Sequence, residues 1–168
     1  MMATTLSSPG ASQQRNLFNT ISWTALLAGT LDIAAAIIKY YIEKGKGPAP
    51  IFKFIASGVF GKEAFSGGRL MIVWGVVFHF MIAFIFTVVL FLIYPLVIKW
   101  IKNKFVTGIL YGLLVWVIMN QAVLPLSHTP KFPFDITQAI IAALILISMI
   151  GLPVALIADN YYKKKAAF

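Results

Sequence analysis

The chain has 168 residues, 60% of them apolar and 11% charged, with a mean hydropathy of +0.89. Soluble domains carry roughly 25% charged residues, and a globule this small cannot hide so much apolar surface from water, so a water-soluble domain is excluded. Fourteen Lys and Arg against five Asp and Glu give a formal net charge of +9. Nearly all the basic residues border apolar stretches, where insertion rules and anionic headgroups favour them, which accounts for the charge without nucleic acid as a partner.

In chain order, residues 1–16 are polar and rich in Ser, Thr and Gln, which predicts a disordered tail. The apolar run that follows is too long for the core of a secretory signal and continues into an aromatic and lysine flank. It predicts a first membrane helix over 17–42. A second is predicted over 70–98, a third over 105–126 and a fourth over 136–158, followed by a basic tail at 163–168. Residues 17–162 thus read as one transmembrane domain, an all-α four-helix bundle. Between helices one and two, the segment IFKFIASGVFGKEAF is apolar with spaced lysines and too short to span, so it predicts an interfacial or re-entrant helix packed on the bundle. Pro153 in the fourth helix frees a backbone carbonyl and predicts a kink. Four spans place both termini on one side. The basic residues of the short 99–104 turn, with Lys163, Lys164 and Lys165, predict that side to be cytoplasmic. A short echo of Thr24–Gly29 in Thr107–Gly112 falls at helix contacts, where small residues recur without duplication.

Few residues in the spans can carry chemistry. Asp32 lies near the middle of the first, where an ionisable group costs several kcal/mol facing lipid. At 100° per residue its neighbours on the helix face are Ala25, Ala28, Gly29, Ala35, Ala36 and Lys39, nearly all small, so Asp32 is predicted to face another helix. His79 repeats the pattern, with Gly75 and Ala83 one turn to either side. Asp32 and His79 both fall roughly 13 Å from the same membrane face. Asn120, Gln121 and Gln138 lie nearer that face, whereas 84–94 and 110–116, toward the other face, read as almost wholly apolar. These positions predict a polar pocket in one leaflet with Asp32 and His79 at its floor. Gly29, Gly75, Gly108 and Gly112 are predicted helix contacts.

Two readings stay open. The pocket can serve a proton-responsive or small-solute transport role, or its residues can be interhelical hydrogen bonds of an accessory or scaffold protein. No phosphate loop, nucleophile motif or nucleotide fingerprint occurs, so an enzyme is not expected. With no cysteine, His128 in a loop and no intramembrane histidine to pair with His79, neither a metal nor a cofactor is expected. The lipid bilayer is the expected partner. Four thin helices enclose little volume, which favours a homo-oligomer or a larger membrane complex.

Residues 75–130 combine Gly75-x-x-x-His79, a short basic link, Gly108-x-x-x-Gly112 and a Pro125-Leu126 exit. In these features the chain resembles the YagU-like family of small bacterial inner-membrane proteins, over about a third of its length. The resemblance implies a multi-pass protein of the bacterial cytoplasmic (inner) membrane with no assigned activity or cofactor. It extends to His79 and not to Asp32.

Overall fold

Four helices are long and apolar enough to cross a membrane: Leu17–Lys44, Gly68–Ile101, Lys104–Leu126 and Ile136–Lys165. The structure, a computed structural model, describes residues 9–166, with side chains from 17 to 165. Every regular element among the described residues is helical. The first helix, α1 (Pro9–Lys44), is already helical before the expected residue 17. Residues 1–8 of the expected tail lie outside the described residues.

Two short helices, α2 (Ala49–Phe60) and α3 (Glu63–Ser66), precede the second span, α4 (Gly68–Ile101). At 1.5 Å per residue α4 is about 51 Å long, well beyond a hydrocarbon core of ~30 Å, so it tilts or protrudes. It stops where Lys102 turns left-handed at φ 54°, its N–H donating to the Ile98 carbonyl at 2.9 Å. Asn103 then starts α5 (Lys104–Ile118) by accepting from the N–H groups of Phe105 at 2.9 Å and Val106 at 3.2 Å. One side chain thus satisfies two of the donors that open the helix. Asn103→Ala is expected to lower stability by ~1 kcal/mol, read from thermal unfolding in detergent.

Both remaining spans carry a π-turn. The third runs from α5 through Met119–Val123 into α6 (Leu124–Leu126), and the fourth from α7 (Ile136–Leu146) through Ile147–Gly151 into α8 (Leu152–Ala166). Each π-turn ends just before a proline. Leu124 N–H reaches back to Met119 O and Leu152 N–H to Ile147 O. A proline ring would clash with the carbonyl four residues earlier, and the wider turn moves that carbonyl aside. The distortion expected at Pro153 is thus a π-turn, and Pro125 makes a second. Helix α8 continues to Ala166, so Lys163, Lys164 and Lys165 sit on its last turn and not in a separate tail.

Helix α1 packs on α4, and α5 packs on the second π-turn and α8, with α4 against α8 joining the two pairs. The core where they meet holds Leu90, Phe91, Tyr94, Tyr111, Val115, Ile150, Val154, Ala155 and Ala158. Outward lie large apolar side chains such as Leu92 (69% exposed) and Trp23 (74%), as lipid contact requires. All four predicted contact glycines are close approaches. A Cβ on Gly29 would meet the Phe80 ring at 3.0 Å, and one on Gly112 would meet Ile147 Cα at 2.5 Å. One on Gly108 would meet Gly151 O at 3.0 Å, and one on Gly75 would run into the Phe52 carbonyl.

That last contact places α2. With 12 residues it is too short to cross, and it lies against the early turns of α4, where Phe60 packs on Trp74 and Phe78 at ring separations of 5.9 and 6.0 Å. The loop between the third and fourth spans meets it as well, His128 N–H donating to Gly58 O at 3.1 Å. Together α2 and this loop close one end of the bundle.

Candidate functional site

Gly29 lets α4 come close enough for a side chain of α4 to reach the α1 backbone. His79 Nε2 lies 2.8 Å from Gly29 O. A carbonyl only accepts, so Nε2 carries the proton of that bond. The ring also sits edge-on to Phe80, centroids 5.2 Å apart. Asp32, three residues beyond Gly29, is half-buried and within electrostatic reach of His79. No ion pair or hydrogen bond among the described residues holds its carboxylate. Of the two residues expected at the pocket floor, the imidazole is thus held by Gly29 O and the carboxylate lies within electrostatic reach of it, with no bonding partner among the described residues.

The other three expected pocket residues go elsewhere. Asn120 Nδ2 donates to Trp116 O at 2.9 Å, within its own helix, and Gln121 is exposed. Gln138 joins a different group: its Oε1 accepts from Lys39 Nζ at 2.5 Å, and its Nε2 donates to Glu43 Oε1 at 3.3 Å. Lys39 and Glu43 pair at 3.0 Å, one turn apart on α1. The backbone explains why Gln138 is there, since its N–H is capped by Asp135 at 3.0 Å where α7 starts. Beside this triad a groove of about 370 Å³ runs between Ala35, Ile38 and Ile42 of α1 and Ile141 and Ile145 of α7.

A second polar cluster, built on residues outside 84–94 and 110–116, lies against Tyr94. Asp159 of α8 is 3% exposed. Tyr94 donates its hydroxyl to Asp159 Oδ1 at 3.2 Å. Lys163 Nζ lies 2.8 Å from Oδ2 and Lys104 Nζ 3.9 Å from it. The Lys163 contact is ionic and not aligned as a hydrogen bond, since Oδ2 has no aligned donor. Around it Tyr162 stacks on Tyr94 with centroids 6.0 Å apart and donates to Phe91 O at 2.7 Å. Tyr111 donates to Phe86 O. Sequence reasoning ended the fourth helix at 158 and so passed over Asp159. Its spacing of four residues from Lys163 was the available signal.

Among the described residues no three His, Cys, Asp or Glu side chains converge as metal ligands would. No protein-family model, curated protein or solved structure matches the chain. The helices themselves define the class: an all-helical multi-pass membrane protein with a carboxylate and an imidazole as neighbours between its first two spans.

Proposed function

We propose that this chain is a proton-responsive, non-enzymatic protein of a bacterial inner membrane, moving a proton or small polar solute past the Asp32 and His79 pair. The observation that carries the reading is the pair itself. An ionisable group within a span is a candidate functional site by default, and here His79 is fixed by Gly29 O while the Asp32 carboxylate stays unbonded among the described residues. A carboxylate and an imidazole are the side chains suited to taking up and passing on a proton. The core of one chain is filled by Phe91, Tyr94 and Tyr111, which favours an oligomer as the working unit. The basic 99–104 turn and the lysines ending α8 favour cytoplasmic termini, and the resemblance to YagU-like proteins favours the bacterial inner membrane.

A scaffold or accessory role is the second reading. It is favoured by the His79 bond to Gly29 and the Asn120 bond to Trp116, which fix helices without needing a solute. Liposomes with an internal pH dye separate the two. Wild-type protein is expected to collapse an imposed pH gradient faster than empty liposomes, and Asp32→Asn to fall back to the empty rate. His79→Ala is expected to slow it as well. Wild type no faster than empty liposomes, with variants that lose only thermal stability, would leave the scaffold reading standing.

A further inference from the structure

We propose that the groove between α1 and α7 holds an acyl chain of a phosphatidylethanolamine, with Lys39 on the lipid phosphate and Glu43 on its ammonium. This inference does not rest on the proton reading. The groove volume of about 370 Å³ falls within the range of small-molecule sites, which starts near ~300 Å³. Its walls are apolar, and Lys39 and Glu43 line it toward one end, an arrangement that suits an amphiphile. From Glu43 to Ala35 it runs about 12 Å along α1. The midpoint of the Leu17–Lys44 span lies close to Asp32, so Lys39 stands about 13 Å from the bilayer centre and Glu43 farther out. The polar end therefore lies at headgroup depth and the apolar part among the tails.

The chemistry of that end selects the headgroup. Lys39 spends two ammonium N–H groups on Gln138 Oε1 and Glu43 Oε1, which leaves the third for a phosphate oxygen. Both Lys39 and Gln138 use Oε1 of Glu43, so Oε2 remains for a donor. The mouth thus presents one N–H beside one carboxylate oxygen, neutral as a pair but dipolar. A primary ammonium can donate to Oε2, a quaternary choline has no N–H to give, and glycerol carries no positive charge. Ethanolamine completes both halves.

Native mass spectrometry of the full chain in detergent, offered equal amounts of phosphatidylethanolamine, phosphatidylcholine and phosphatidylglycerol with matched tails, tests this. Wild type is expected to retain the ethanolamine lipid about tenfold over the choline lipid, the order of one charge-assisted hydrogen bond. Glu43→Gln is expected to bind both alike, and Ile141→Trp, which fills the groove and leaves the triad untouched, to retain none of the three. Equal retention of the ethanolamine and choline lipids by wild type overturns the proposal. So does preference for phosphatidylglycerol, the mark of an unpaired basic site, or undiminished binding by Ile141→Trp.

Discussion

Gly151→Ala is expected to cost about 3 kcal/mol, the upper part of the range for overpacking a filled interior. The added Cβ would run into the Gly108 carbonyl oxygen and meet Gly112 N at 2.8 Å and Gly112 Cα at 2.9 Å. All three atoms are backbone, so no side chain can swing away and the third and fourth spans must separate. Separation loosens contacts on both sides of the joint, because Gly108 abuts Leu152 and Gly112 abuts Ile147. Membrane helices associate through such close packing, since lipid tails give no hydrophobic reward for contact. Gly58→Ala is the matched control. Its Cβ would find Ser127 Cβ at 3.7 Å and Thr129 Cγ2 at 3.8 Å, ordinary contacts, and alanine is the better helix former by ~1 kcal/mol. Thermal unfolding in detergent should therefore show a lowered midpoint for Gly151→Ala and an unchanged or raised one for Gly58→Ala. Equal midpoints for Gly151→Ala and wild type would mean that the spans can part at no cost, contrary to the packing.

The four spans were legible because hydropathy reports length and composition along the chain, and a membrane makes both conditions strict. Gly108 and Gly112 were legible as a contact face in the same way, from spacing on one helix. Their partner was not, because Gly151 lies across a π-turn whose extra residue shifts the register of the fourth span. Depth could be read and rotation could not. Asp32 and His79 share a depth and lie within electrostatic reach of each other. Gln138 lies at the same end of the bundle, yet its capped position at the start of α7 turns it to Lys39 and Glu43. Asn120 had a nearer acceptor, the Trp116 carbonyl one turn back, and a local bond costs less ordering than one reaching across to another helix.

Asp159 illustrates the other blind spot, a charge at a span's edge that looks solvated in sequence and is buried in the fold. It ties three elements, with Tyr94 from α4, Lys104 from α5 and Lys163 from its own α8. Asp159→Ala is expected to cost about 2 kcal/mol. Most of that is the Tyr94 hydroxyl, 1% exposed in its residue and left without an acceptor, a loss of about 1–3 kcal/mol. The lysines add less, since the Lys163 side chain is 71% exposed and the Lys104 side chain 34%, and water takes over the charges left behind. Asp159→Asn keeps an oxygen for Tyr94 and should lose about half as much. Tyr94→Phe removes the donor instead and should also lose about 1 kcal/mol. Combining Tyr94→Phe with Asp159→Ala then distinguishes the causes. If the orphaned hydroxyl dominates, the double variant is no less stable than Asp159→Ala alone, because no unpaired donor remains. Losses that simply add would instead assign the effect of Asp159 to its two lysines, and the carboxylate would then act through charge and not through Tyr94.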